Sequence, residues 1–273
     1  MDFNRYRHVD HDEQRIRCCA RFVSIAVVAC GCALIALPAR ADNPGYDRPG
    51  YGFAPAVLAA GDFTIEQGLP DWSRDHDDGV SSALCSADSL IRIGIGGPLE
   101  LQLGSSPWNS LRQTGAGVDS HSHGRGDSNI ALKLALPSSN KAFTWGLLGS
   151  VEFTDGTKDF RNDRRQYLLG AQFNLQANEK NSLGAYLEDV RDGHSNSTTV
   201  ALSDNYTLTS ALTVYAETAL LHSPDQGNGT LAGAGLTWMA SPRVQLDAGL
   251  DHHLSGNTSE WMTNLGVSVY FGR

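Results

Sequence analysis

Beyond residue 60 the chain alternates apolar residues with polar or small ones, and the spacing of apolar residues typical of helices is largely missing. The clearest stretch sets Ile130, Leu132, Leu134 and Leu136 on one face and Ala131, Lys133 and Ala135 on the other. A period of two is that of a strand with two different faces. Comparable runs begin at Phe63, Ile91, Leu99, Trp145, Leu169, Leu183, Val200, Leu212, Ala232, Val244 and Leu265, which makes about twelve predicted strands. Alternation alone suits a soluble sandwich as well as a barrel, because each sandwich strand also keeps one wet face.

The connections separate the two folds. Short ones at 96–98, 137–142, 176–181, 208–210 and 240–243 alternate with longer ones at 70–87, 105–128, 155–165, 191–197, 222–229 and 253–259. Up-and-down membrane barrels have this order, with short turns at the periplasmic end and long loops outside. A Greek-key sandwich has no reason to produce it. The expected fold is an all-β, transmembrane, up-and-down antiparallel barrel of about twelve strands, with both termini on the periplasmic side.

The N-terminus agrees with export. Arg5, Arg7, Arg15, Arg17 and Arg21 precede an apolar run at 22–37, and Pro38 then leads into Ala39-Arg40-Ala41. This reads as a signal peptide at 1–41, cleaved after Ala41. A lipoprotein-type cut before Cys30 would leave a second apolar stretch, 32–37, on the mature chain, so it is the less fitting alternative. Residues 42–60, rich in Gly and Pro at their start, read as a periplasmic lead-in, and 61–273 as the barrel. Of the five cysteines only Cys85 lies beyond the cleavage point, which excludes an intramolecular disulfide.

Removing the leader takes away six of 21 Lys+Arg and four of 30 Asp+Glu, leaving 15 against 26, a net charge of -11. Such an acidic chain disfavours nucleic acid as a partner. No segment after the leader approaches about 18 consecutive apolar residues, so membrane insertion has to use strands.

If the apolar face meets lipid, the other face lines a lumen. The candidate lumen residues are Glu66, Arg92, Glu100, Lys133, Glu152, Glu188, Glu217, Asp247 and Asp251, with Gln102, Gln172, Asn174, Tyr186, Tyr215 and Gln245 beside them. Acidic groups outnumber basic ones, and a water-filled lumen of that kind favours cations. The same residues suit a narrow or plugged barrel in which Arg92 and Lys133 pair with neighbouring carboxylates. Trp145, Trp238, Trp261 and Phe271 fall near strand ends, where an interfacial aromatic girdle belongs.

Three groups invite a chemical reading. His121 and His123, and the pair His252-His253, have no Cys or carboxylate at a recognisable ligand spacing, so no metal or cofactor is expected. Arg125-Gly126-Asp127 resembles an adhesion tripeptide, but its place before a strand suits a turn capped by Asp127. Ser255 beside His252 and His253 is the basis for a surface hydrolase. A nucleophile also needs an orienting third group, and no Gly-x-Ser-x-Gly elbow is present.

Several stretches carry a family resemblance. They are Arg48-Pro49-Gly50-Tyr51-Gly52-Phe53, Gly61-Asp62-Phe63 with Glu66-Gln67-Gly68, the paired runs 90–95 and 99–104, Gly124-Arg125-Gly126-Asp127 before 130–134, and 246–250 with the closing strand. Together they resemble the MetA-pathway phenol-degradation family of outer-membrane β-barrels. These motifs are spaced structural residues. The resemblance implies residence in the cell outer membrane, contact with its lipid, assembly by the outer-membrane insertion machinery, and passage of small solutes, aromatic compounds of a phenol-degradation pathway among them. Such barrels commonly finish on an aromatic residue, whereas this chain ends Tyr270-Phe271-Gly272-Arg273, so Phe271 is expected to serve that role. A conducting channel is thus the expected function, with a non-conducting barrel acting through its loops as the alternative and a surface hydrolase third.

Overall fold

A computed structural model describes residues 43–194, 196–224 and 227–272. The signal-peptide reading of 1–41 lies outside the described residues. The strands are β1 (Phe63–Gly68), β2 (Asp71–Asp77), β3 (Val80–Gly96), β4 (Leu99–Gly115), β5 (Val118–Gly124), β6 (Ser128–Leu136) and β7 (Phe143–Glu152). They continue with β8 (Gln166–Gln176), β9 (Asn181–Arg191), β10 (Asn196–Thr209), β11 (Leu212–Ser223), β12 (Gly227–Ser241), β13 (Val244–Gly256) and β14 (Trp261–Phe271). All pairings are antiparallel. β1 pairs with β14 from Phe63↔Phe271 to Gly68↔Gly266, which closes the sheet on itself.

Fourteen segments make twelve staves. β1 and β2 both lie between β3 and β14, and together they form one stave interrupted at Leu69-Pro70. Pro70 has no N–H to give to a ladder. β5 and β6 both pair with β4 and form a second interrupted stave, broken at 125–127.

Two of the expected long loops are strands instead. The connection 70–87 is a hairpin of β2 with the outer part of β3, turning at Asp78-Gly79, and most of 105–128 is a hairpin of β4 with β5, turning at Ala116-Gly117. Both residues of each turn have positive φ, 47° and 76° in the first and 46° and 82° in the second. That is the two-residue turn whose twist matches paired strands. These hairpins are polar on both faces, as in the β2 sequence Asp-Trp-Ser-Arg-Asp-His-Asp, so they lack the alternation that marks the lipid-facing part.

Within the band the usual distribution of residues is inverted. Leu132, Leu169, Leu187, Leu202, Leu220 and Leu250 are exposed on the outside, while Glu66, Arg92, Glu100 and Lys133 are fully buried inside. Aromatic rings gather at the short-turn end, where Phe63 stacks on Phe271 at 4.6 Å and Trp145 on Phe173 at 6.1 Å. Trp261 lies at the other end, stacked on His252 at 4.0 Å. An apolar band between aromatic girdles around a closed, polar-lined sheet is the construction of an outer-membrane barrel.

A charge on this outer face should therefore be costly where the band is deepest. Leu132→Arg, at a position 47% exposed in mid-β6, is expected to lose about 2–4 kcal/mol. Val118→Arg, in the protruding hairpin, should stay within about 0.5 kcal/mol of wild type. Urea unfolding of the vesicle-inserted protein measures both, and equal costs would place β6 outside a membrane.

Candidate functional site

Twelve staves tilted about 40° give a backbone radius of about 12 Å, which leaves a bore of roughly 10 Å once inward side chains are counted. One chain thickness fills such a bore. Within the stretch 42–60, expected as a periplasmic lead-in, residues 45–58 pack against inward-facing residues of the staves. Tyr46 and Leu58 are buried against Tyr270 with Met239 beside them, and Phe53 packs with Tyr186, Ala201, Ala219 and Leu231. Phe53 meets Tyr186 edge to face, with ring centroids 6.0 Å apart. Gly52, at φ 96°, crosses so close to Gln172 that a Cβ there would overlap its Oε1. Gly94 likewise has no space for a side chain beneath the carbonyls of Leu58 and Ala59.

Charge fixes this segment as firmly as packing does. Arg92 makes a bidentate pair with Glu100, Nε to Oε1 at 2.8 Å and Nη2 to Oε2 at 3.0 Å, and its Nη1 reaches Glu66 at 3.0 Å and the Gly45 carbonyl at 2.8 Å. Lys133 donates to Asp47 at 2.9 Å and lies 3.0 Å from Glu100. The wall alone brings two carboxylates to two cations, and Asp47 from the docked segment adds a third carboxylate. Backbone donors offset that excess: Glu66 accepts from the amides of Asp47 and Arg48 at 3.0 Å each, and Glu100 accepts from the amide of Leu58 at 2.9 Å. Buried ions need this degree of pairing, because each loses several kcal/mol of hydration.

Arg48, the residue after Asp47, turns from this network toward β2 and β13. It makes a bidentate bond to Asp71 at 3.0 and 2.9 Å and sits 3.5 Å from Asp247. Two cavities open toward the long-loop end. One of about 670 Å³ is lined by Glu66, Asp88, Asn109, Asp127, Glu152 and Arg161 among others. The second, about 280 Å³, has Tyr51, Asp71, Glu217, Asp251, Met262 and Asn264 in its wall. Arg48 borders both.

The nine candidate lumen residues thus fall into separate groups. Glu66, Arg92, Glu100 and Lys133 form one network. Asp247 lies beside Arg48. Glu152 accepts a 2.5 Å bond from Asn162 at the loop end, and Glu188 one of 2.5 Å from Tyr186. Glu217 accepts from the Tyr51 amide at 2.9 Å, and Asp251 has an oxygen without a hydrogen-bond partner. Sequence reasoning missed Asp47, Arg48, Tyr51 and Phe53 as lumen groups, although two aromatics and an Asp-Arg pair in a Gly-rich stretch were a signal of docking.

The histidines singled out in the sequence are exposed or half-buried, whereas Gly126 and Asp127 line the larger cavity. His121 bonds the Ser110 hydroxyl at 2.9 Å, and His252 Nδ1 lies 2.8 Å from the Glu260 carbonyl oxygen. Asp127 accepts from the amides of Gly156 and Asn162 at 2.7 Å each, so it orders the 155–165 loop. Gly126 is not among the glycines of positive φ, and a Cβ there would meet the Ser106 Cβ at 3.0 Å, so a side chain would require that neighbour to shift. Arg125 pairs with Asp155, whose carboxyl the Ser128 amide, the Ser128 hydroxyl and Arg125 hold below the usual carboxylate range.

Arg92 is the hub of the network. Arg92→Met would leave Glu66, Glu100 and Asp47 to the single charge of Lys133, and breaking buried pairs of this kind costs about 3–5 kcal/mol. The expected result is a lower urea midpoint, together with protease cleavage within 43–62 that wild type resists.

Comparisons with known proteins bear on this arrangement. The family described as "Putative MetA-pathway of phenol degradation" matches residues 46–271, and a search of curated proteins finds no match. An outer membrane channel from Pseudomonas putida F1 superimposes with a TM-score of 0.64 at 12% identity, over 85% of this chain and 100% of that one. The NanC porin gives 0.50 at 12% identity over 76% and 98%, and the KdgM porin 0.50 at 11% over 77% and 99%. At such identities the likeness is one of fold, that of outer-membrane channels and porins. The family match takes in the docked segment from Tyr46 onward and all twelve staves to Phe271, and the chain belongs to the MetA-pathway phenol-degradation family.

Proposed function

We propose that the protein is a passive outer-membrane conduit for small solutes, with residues 43–60 setting its aperture. The observation that carries this reading is a closed, lipid-faced barrel whose polar interior holds cavities of about 670 and 280 Å³ beyond the docked segment. The family name supports aromatic compounds of a phenol-degradation pathway as cargo, and the excess of lumen carboxylates favours cations over anions. The same reading has 1–41 removed at export, lets Phe271 present the closing strand to the insertion machinery, and gives the barrel no catalytic step. The rival, a non-conducting barrel that binds through its loops, draws on the protruding hairpins β2–β3 and β4–β5.

Planar bilayers separate the two. The mature protein should pass small, cation-selective currents, and deletion of 43–58 should raise them several-fold. Absence of current from both forms would leave the loop-binding barrel in its place.

A further inference from the structure

The lumen carboxylates do not share its cations equally. Arg92 and Lys133 are committed to Glu66, Glu100 and Asp47, and Arg48 to Asp71 and Asp247. Among the lumen carboxylates without a cation, Glu152 and Glu188 each accept a side-chain hydrogen bond, from Asn162 and Tyr186, whereas Glu217 on β11 and Asp251 on β13 accept none from a side chain. Both line the 280 Å³ cavity, each is only 6% exposed, and each has an oxygen, Oε1 of Glu217 and Oδ1 of Asp251, with no hydrogen-bond partner. The backbone is arranged to hold them there. Gly50, at φ 81°, passes so near that a Cβ would lie 2.8 Å from Glu217 Oε2, the oxygen that the Tyr51 amide binds, and 3.1 Å from Oε1. Gly233 on β12 gives Asp251 its place, since any side chain there would overlap Oδ1.

Buried carboxylates without a counter-charge are costly, and a bound cation is one way to satisfy them. The remaining lining narrows the kind of cation. Asn264 adds a third side-chain oxygen, while Tyr51 and Met262 supply a ring and a thioether. An ammonium head has three N–H donors to set against three oxygens, and aromatic faces and sulfur accept its apolar arm. A bare metal ion fits less well, because the described residues contain no group of three or more His, Cys, Asp or Glu placed to hold one. The volume lies at the small end for ligand pockets, which suits one ring or a short chain.

We infer that Glu217 and Asp251 form a subsite for a small organic ammonium ion, a primary amine on an aryl or short alkyl arm. This deepens the conduit reading by naming a solute class, and rests on it for access from solution.

Three probes of one shape and different charge test the subsite: 2-phenylethylammonium, 2-phenylethanol and phenylacetate, titrated calorimetrically at pH 8 into the folded mature protein in detergent. The ammonium should bind at least tenfold tighter than the alcohol, and phenylacetate more weakly than either. In the doubly substituted E217Q/D251N protein, with folding verified by heat-dependent gel mobility, the preference for ammonium over alcohol should vanish. Equal binding of ammonium and alcohol by wild type would overturn the proposal without need of a variant, and so would a preference that survives both substitutions. Currents from the same preparations keep the two readings apart. Conductance without ammonium preference removes the subsite and leaves the conduit, and preference without conductance does the reverse.

Discussion

Hydrocarbon offers no hydrogen bonds, and this constraint shapes every other feature of the protein. A strand can lie in lipid only if both its edges are paired, so the sheet must close, as the β1–β14 ladder makes it do. Closure turns the alternating sequence outside in: leucines meet lipid, and Glu66, Arg92, Glu100 and Lys133 are left inside with little water. Charges so enclosed need partners. Four of them sit close enough to neutralise one another, and the chain's own residues 45–58 supply the remaining bonds. The docked segment is thus a consequence of closure as much as an addition to it.

Strand number and facing were legible in the amino-acid order because lipid enforces a strict two-residue period over the width of the band. Where that enforcement stops, legibility stops. Residues 71–77 and 118–124 pair as strands above the band, yet both faces meet water, so nothing in their pattern distinguishes them from loop. Their turns, Asp78-Gly79 and Ala116-Gly117, carried the only local signal.

The lumen was legible residue by residue but not pair by pair. Inward positions follow from parity, whereas the Arg92–Glu100 pair depends on the β3–β4 register, and the Lys133–Asp47 bond joins residues 86 apart. Register follows from ladder pairing, which alternation leaves open. Docking of residues 45–58 was harder still, since Gly and Pro suit a free tether as well as a chain threaded past Gln172 and Gly94. Its effect on function is considerable: it commits Asp47 and Arg48 to particular partners, and Glu217 and Asp251 are left with carboxylate oxygens that no donor satisfies.

The central claim is that one face of each stave meets lipid and the other encloses a polar lumen. Nitroxide labels placed singly at 130 to 135 of the vesicle-inserted protein, with Cys85 replaced by Ser, test it most directly. The account predicts that labels at 130, 132 and 134 collide freely with dissolved oxygen and that those at 131, 133 and 135 are shielded from it, a period of two with the leucine side in lipid. Shielding of the leucine side, or oxygen exposure that is uniform along β6, would contradict it.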